Sequence, residues 1–170
     1  MGDDDPDFLE FFAGEFWSLR RVGFLLTGDW DQAEELAQEA MARTFAAWSR
    51  VRGYDRPAAY ARKVLVNRHR SLLRRARVEA RHLAGRRVEE TYEAKLGEDG
   101  LVLWSAVRRL PARQRAVLVL RYHEDLPEAE VARLLGLPLG TVKSLAHRGL
   151  VRLRGELGSS AMEEIRGNRR

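Results

Sequence analysis

Apolar residues recur at steps of three and four along most of the chain, which is the spacing of one face of an α-helix. The first series predicts a helix with apolar positions Phe8, Phe11, Phe12, Phe16, Leu19, Val22 and Leu26. Gly28 is expected to end this helix, and either Asp29 or Asp31 is suited to cap the next one. The apolar stripe of that second helix is Ala33, Leu36, Ala37, Ala40, Met41, Thr44, Phe45 and Trp48.

A third helix is predicted after a short break in the pattern. Residues 49–56 contain Gly53 and precede Pro57, so they are interpreted as a loop, and Pro57 is suited to the first turn of a helix. The inner positions of this helix are Ala61, Val64, Leu65 and Leu72. Its outer positions are mostly basic: Arg62, Lys63, Arg70, Arg74, Arg75 and Arg77. Three helices of this length can share one core, so residues 1–80 are predicted to form a first domain.

The apolar rhythm weakens over residues 81–100, where Gly85, Gly97 and Gly100 occur, and this segment is predicted to be a linker. Four shorter helices are predicted beyond it: 101–109, 111–123, 127–135 and 141–157. They define a second domain over residues 101–158. The tail 159–170 has two open interpretations, disorder or phosphate contacts through Arg166, Arg169 and Arg170. No strand pattern competes with the helical one, so the predicted fold class is all-α, with two small helical domains.

Charge is distributed unevenly along the chain. The net charge is +5. Residues 1–49 hold eleven acidic and three basic side chains, whereas residues 50–87 hold thirteen basic and two acidic ones. Such asymmetry is typical of proteins that bind a polyanion, although a basic helix is often only a solvated surface.

Composition narrows the class of protein further. The hydrophobic fraction of 45% fits a folded chain, and the absence of cysteine excludes disulfides and thiolate metal sites. The acidic N-terminus does not resemble a secretory signal, and no apolar run approaches the ~20 residues of a membrane span. We therefore expect a cytoplasmic protein.

Catalytic patterns are missing from the sequence. It contains no phosphate-binding glycine loop and no recognisable Ser/His/Asp order, and its four histidines are scattered: His69, His82, His123 and His147. We expect no enzymatic activity, no cofactor and no metal site.

The spacing of Ala132, Gly136 and Val142 is typical of a helix-turn-helix, the DNA-binding motif in which a second helix enters the major groove. The core-facing positions of that second helix are predicted to be Val142, Ala146, Leu150, Leu153 and Leu157. Its outward positions suit base edges and phosphates: Thr141, Lys143, Ser144, His147, Arg148, Arg152 and Arg154. The alternative is an ordinary helical hairpin with a solvated polar face.

The third helix of the first domain combines positive charge with nearby aromatic residues, a pairing that holds single-stranded nucleic acid. Trp48 continues the buried stripe and is assigned to the core. Tyr54 and Tyr60 remain open between structural and binding roles, and Asn67 between a nucleic-acid contact and a local hydrogen bond.

Together these patterns resemble the extracytoplasmic-function sigma factors of bacterial RNA polymerase. The stretches that carry the resemblance are residues 31–48 (DQAEELAQEAMARTFAAW), 110–122 (LPARQRAVLVLRY), 130–136 (EVARLLG) and 140–144 (GTVKS), with His147-Arg148 and Leu153-Arg154. The resemblance covers residues 8–157. One departure is that Leu126-Pro127 begins its helix without a Ser or Thr cap, for which Glu128 and Glu130 compensate.

The resemblance implies a role for each surface. The second helix would bind the clamp helices of core RNA polymerase through Asp31, Glu34, Glu35, Gln38, Glu39 and Arg43. The loop and third helix would hold the melted −10 element of promoter DNA through Tyr54, Arg56, Tyr60, Arg62, Lys63, Asn67 and Arg70. The helix-turn-helix would bind the −35 duplex through Thr141, Lys143, Ser144, His147, Arg148 and Arg152. An anti-sigma protein is a further implied partner, while the chemistry of transcription belongs to the polymerase.

Two other classes of protein were weighed against this interpretation. A stand-alone helix-turn-helix regulator would bind an operator without polymerase, and such regulators usually bind as symmetric dimers. No obvious dimer stripe remains once both predicted cores are filled. An enzyme acting on nucleic acid would need a catalytic set, and the sequence shows none.

Overall fold

The computed structural model describes residues 6–80 and 98–167, with side chains for 6–76 and 102–157. Every element in these ranges is helical, which confirms the all-α prediction. The chain divides into two compact units, Met1–Glu89 and Glu90–Arg170. Residues 81–97, most of the predicted linker, lie outside the described residues. No helix in the described part of the chain is long and apolar enough to cross a membrane.

Over residues 6–80 the first unit forms α1 (Pro6–Thr27), α2 (Trp30–Ala46), the single turn α3 (Trp48–Val51) and α4 (Pro57–Ala80). Gly28 ends α1 with φ 81°, a left-handed conformation that glycine adopts without strain. Of the two candidate caps, Asp29 is the one used: its carboxylate accepts hydrogen bonds from the backbone N–H groups of Asp31 and Gln32, both at 2.9 Å.

The main core of this unit lies between α1, α2 and α4. Its fully buried members include Val22, Leu26, Leu36, Met41 and Leu65. The backbones of α1 and α2 approach closely because Gly23 faces Ala33: a Cβ at position 23 would lie 3.0 Å from the Ala33 backbone.

A second apolar cluster lies where α1 begins, and it alters the prediction that residues 49–56 form a loop. Phe8, Trp48 and Val51 are buried together there. Because Trp48 and Val51 pack against Phe8, residues 48–51 form a helical turn, and the prediction of a loop starting at residue 49 was wrong. Trp48 is core, as predicted, but it begins α3 and does not continue α2.

Two aromatic residues assigned to the buried stripes are exposed. Phe12 retains 38% and Phe45 49% of its accessible surface. The Phe45 ring contacts that of Phe8 at a tilt of 53°, with centroids 4.7 Å apart. The buried face of each helix is therefore narrower than the periodic pattern predicts.

The second unit contains α5 (Glu98–Arg109), α6 (Ala112–Leu118), a π-helical turn (Val119–His123), α7 (Glu128–Leu135) and α8 (Leu139–Gly167). Helix α5 begins three residues before its predicted start. Helix α8 begins two residues early and continues to Gly167, so it includes most of the segment assigned to the tail. Residues 168–170 lie outside the described residues, as does the side chain of Arg166.

The core of the second unit fixes α8 against the other helices. Val117, Leu120, Val131 and Val142 are fully buried. At the end of α5, the Arg115 guanidinium donates a hydrogen bond to the Arg108 carbonyl at 3.0 Å. Burial, and secondarily the neighbouring charge of Arg108, lowers the pKa of Arg115.

Candidate nucleic-acid and protein interfaces

The turn between α7 and α8 has the geometry of a helix-turn-helix. Helix α7 ends at Gly136, whose φ of 63° is left-handed, and the Leu137 N–H donates to the Ala132 carbonyl at 3.0 Å. The Pro138 carbonyl accepts from the N–H groups of Thr141 and Val142 and so starts α8. Val142 is fully buried, as its anchoring role requires. Half-buried Ala132 and left-handed Gly136 likewise occupy the positions that the spacing predicts.

The start of α7 also matches its sequence. Pro127 stands at the cap position and supplies no side-chain hydrogen bond, while Glu128 and Glu130 lie in the first turn. Their negative charge interacts favourably with the unpaired N–H groups of that turn.

The outward face of α8 is polar and accessible. Lys143, Ser144, His147, Arg148 and Arg152 are exposed, and Thr141 is half-buried. At about 100° per residue, Ser144, His147 and Arg148 fall within an arc of about 100° opposite the buried stripe. The Arg148 Nε donates to the Ser144 carbonyl at 3.2 Å, which leaves the rest of its guanidinium for other contacts. Val151, 52% exposed, lies on the same arc and was not predicted there.

A second polar face lies along α4. Tyr60, Lys63, Asn67 and Arg70 share an arc of about 80°, opposite the buried residues of the helix. Arg74 is exposed on the same arc, and the predicted site omitted it although its i+4 spacing from Arg70 gives that position.

Arg62 does not share this face. It is half-buried and lies about 100° from Lys63, within the arc that holds the buried residues of α4. Arg56 is exposed and directly precedes the helix.

The two tyrosines near this face have different surroundings. Tyr54 is exposed, and its ring meets that of Tyr60 edge-on with centroids 6.2 Å apart. Tyr60 also packs against the cluster of Phe8, Trp48 and Val51. Tyr60 is therefore partly covered by its own domain, whereas Tyr54 is exposed beside a basic helix.

Helix α2 presents an acidic face. Asp31, Glu35 and Gln38 are exposed and lie within an arc of about 60°. Glu34 borders this arc on the α1 side, where it forms an ion pair with Arg20 at 3.0 Å and accepts a hydrogen bond from Gln38 at 3.3 Å.

Two further residues of the predicted polymerase-facing set, Glu39 and Arg43, lie on the opposite flank of α2, towards α4. The two Glu39 oxygens pair with different arginines, Arg43 and Arg68, each at 2.6 Å. Arg68 was not among the predicted site residues.

An aromatic side chain that sequence reasoning missed adjoins the acidic face. Trp17 is 64% exposed. The guanidinium of Arg20 lies 5.2 Å from the Trp17 ring and 4.9 Å from the Trp30 ring, and the same guanidinium holds Glu34. Trp17 does not lie on the apolar stripe of α1. Its spacing could therefore have predicted an exposed tryptophan on the outer face of the helix.

The described residues thus define a protein of two compact helical units, the second of which contains a helix-turn-helix. Comparison with known proteins makes this specific. Residues 18–79 match Sigma-70 region 2, and residues 101–153 match Sigma-70, region 4. The chain is 38% identical over 128 residues to the RNA polymerase sigma-E factor of Streptomyces antibioticus, covering 74% of this chain and 70% of that one.

Two other similarities agree. The chain is 32% identical over 142 residues to the ECF RNA polymerase sigma factor SigL of Mycobacterium tuberculosis, covering 80% of each chain. The fold is similar to that of the sigma factor RpoE from Bartonella quintana, solved in complex with the anti-sigma factor NepR. The TM-score is 0.73 at 24% identity, over 91% of this chain and 98% of that one. The chain belongs to the sigma-70 family of RNA polymerase sigma factors, in the extracytoplasmic-function group.

Proposed function

We propose that this chain binds core RNA polymerase in the cytoplasm and brings it to promoters by recognising two DNA elements in different states. The −35 element is bound as duplex by the domain at 101–158, and the −10 element is bound as melted DNA by the domain at 1–80. One observation carries this proposal. Each compact unit has a polar helix face with lysine and arginine side chains opposite its core: α4 provides it in the first unit and α8 in the second.

Duplex recognition is assigned to the exposed start of α8. Lys143, Ser144, His147, Arg148 and Arg152 project from it, and arginine forms bidentate hydrogen bonds to guanine in the major groove. Thr141, half-buried at the first turn, is assigned a contact with phosphate. The side chains nearest the start of the second helix of such a motif are the ones that reach base edges.

Capture of the melted strand is assigned to α4 and the residues that precede it. Lys63, Asn67 and Arg70 supply phosphate and base contacts on one face, and exposed Tyr54 supplies a surface for an unstacked base. Arg56 and Arg62 were also predicted to contact the −10 element. Arg56 is the better candidate of the two, because it is exposed whereas Arg62 is half-buried. Binding single-stranded −10 DNA better than paired DNA shifts the equilibrium towards the open promoter.

Polymerase binding is assigned to the acidic face of α2. Asp31, Glu35 and Gln38 are accessible, and Glu34 borders them. Carboxylates and an amide on one face suit a partner surface rich in arginine. An anti-sigma protein that covered this face or the outer face of α8 would block initiation, which makes such a protein a candidate regulator.

The decisive experiment mixes the purified chain with bacterial core polymerase and fragmented DNA from the source genome, followed by sequencing of the transcripts that begin. We expect discrete start sites that share two spaced upstream elements and that vanish when the chain is omitted. If core polymerase gains no new start sites while the chain alone protects a symmetric duplex site, the stand-alone regulator is the correct class.

A further inference from the structure

Glu39 lies at the junction between the acidic helix α2 and the basic helix α4. Its Oε2 atom is 2.6 Å from Arg68 Nε of α4, and its Oε1 atom is 2.6 Å from Arg43 of α2. Both carboxylate oxygens are therefore used within the first unit. This differs from the exposed carboxylate of Glu35, one turn earlier on α2.

The ion pair between Glu39 and Arg68 is half-buried, with 28% and 30% of the two side chains exposed. Partial burial reduces screening by water, so the attraction is larger than that of a fully exposed pair. It joins α2 to α4 directly, whereas the pair with Arg43 stays within α2.

The location of Arg68 along α4 determines which part of that helix the ion pair attaches to α2. The buried side chains of α4 in the described part of the helix are Ala61, Leu65, Val66 and His69. Arg70 and Arg74, at the far end of the polar face, lie beyond the last of them. Leu72 and Leu73 beyond them are half-buried. The ion pair of Arg68 therefore joins α4 to α2 beside the last fully buried residue in the described part of the helix.

We infer that Glu39 is a positioning residue, which acts through Arg68 to hold the distal half of α4 against α2. It thereby fixes the direction in which Arg70 and Arg74 point relative to the helix assigned to polymerase. This inference rests on the proposed function, and it moves Glu39 from the polymerase-contacting set to a role inside the domain.

The test uses the full-length chain with core polymerase, on a promoter fragment identified by the transcript-sequencing experiment. The variants are Glu39→Gln, Arg68→Gln and their combination, with Glu39→Asp as the conservative replacement. Arg75→Gln is the matched control, since it removes the same charge from the same flank of α4 seven residues further on. Two quantities are measured for each variant: the Kd for core polymerase and the lifetime of competitor-resistant open complexes. Circular dichroism checks that each variant is folded at the assay temperature.

We expect Glu39→Gln and Arg68→Gln each to shorten the open-complex lifetime by about three- to fivefold, the range of a partly exposed ion pair. The double variant should be no worse than either single variant, because both remove one interaction. Glu39→Asp should recover part of the lifetime. The Kd for core polymerase should stay within about twofold for all of them, a split that general destabilisation would not produce.

Several results would overturn the inference. Weaker polymerase binding by Glu39→Gln, but not by Arg68→Gln, would make Glu39 a direct polymerase contact. Additive losses in the double variant, or an equal loss in Arg75→Gln, would show that the pair does not act as a unit. If the wild-type chain itself did not bind core polymerase, the proposed function would be wrong. The Kd of the wild-type chain separates that outcome from a failure of the inference about Glu39.

Discussion

Gly23 marks a close approach of α1 to α2, and it supports the first prediction. A Cβ at this position would lie 3.0 Å from both the Cα and the carbonyl oxygen of Ala33. Backbone atoms cannot move aside as a flexible side chain can, so α1 and α2 must separate. We expect Gly23→Ala to lower the free energy of unfolding by about 1–3 kcal/mol, measured by urea denaturation.

Gly14 provides the control for that substitution within the same helix. A Cβ there meets nothing within 4 Å. Because alanine restricts the unfolded chain more than glycine, Gly14→Ala should raise the free energy of unfolding by about 0.5–1 kcal/mol. Equal effects of the two substitutions would contradict the close approach at Gly23.

Individual side chains also show which features the sequence alone could not predict. The sequence predicted that an aspartate caps α2 but left Asp29 and Asp31 open, because both lie within reach of the first turn. Phe45 was assigned to the core by its spacing, yet about half of the residue's surface is exposed. Spacing gives the direction of a side chain around the helix, whereas burial depends on which neighbouring helix covers that direction.

At the scale of one helix, Arg148 carries a prediction for α8. Its guanidinium is exposed on the outer arc and uses Nε for the Ser144 carbonyl. If it makes a bidentate contact to a base, Arg148→Ala should weaken binding to the −35 element by about 1–3 kcal/mol. Transcription from intact and −35-scrambled promoters measures this. Equal loss on both promoters would rule out base recognition.

Arg154 is the matched control on α8. It is exposed, carries the same charge, and lies six residues further along, away from the start of the helix. Arg154→Ala should reduce binding to both promoters alike, because contacts with phosphate do not depend on base sequence.

Helix α4 supports a prediction about salt. Arg70 and Arg74 lie on its polar face, and each phosphate neutralised by a cation releases a counterion. For single-stranded DNA the slope of log K against log salt changes by about 0.7 per contact. The double variant Arg70→Gln/Arg74→Gln should therefore flatten the slope by about 1.4 for the holoenzyme on a labelled −10 oligonucleotide. An unchanged slope would place both side chains away from the strand.

The helices themselves were more predictable than their ends. Periodicity predicted α1, α2, α4 and α7 because each has one buried face. The turn at Trp48–Val51 was missed since it depends on packing against Phe8, about forty residues earlier in the chain. The pairing of Glu39 with Arg68 was missed for the same reason: the sequence shows two exposed-face charges, and only the packing of α2 on α4 brings them together.

At the scale of the whole molecule, the uneven charge corresponds to separate surfaces. The acidic N-terminal segment supplies the exposed face of α2, and the basic segment that follows supplies the polar face of α4. The second unit carries its own polar face on α8, to which DNA contact is assigned. Recognition of polymerase and recognition of the −35 duplex are therefore assigned to side chains in different compact units.

This separation predicts that polymerase binding and −35 recognition can be lost independently of each other. Glu35→Ala/Gln38→Ala removes two exposed side chains of α2 and should weaken core polymerase binding by about tenfold, the scale of a moderately important interface pair. It should leave −35 discrimination unchanged, whereas Arg148→Ala should do the reverse. The two substitutions lie in different compact units and are assigned to different partners. Their effects on the free energy of the initiation complex should therefore add to within about 0.5 kcal/mol. The combined variant, assayed for polymerase affinity and for transcription from intact and scrambled promoters, measures this sum. A combined loss clearly smaller than the sum would mean that polymerase binding and −35 recognition draw on a common step, and the assignment of one surface to each partner would then be wrong.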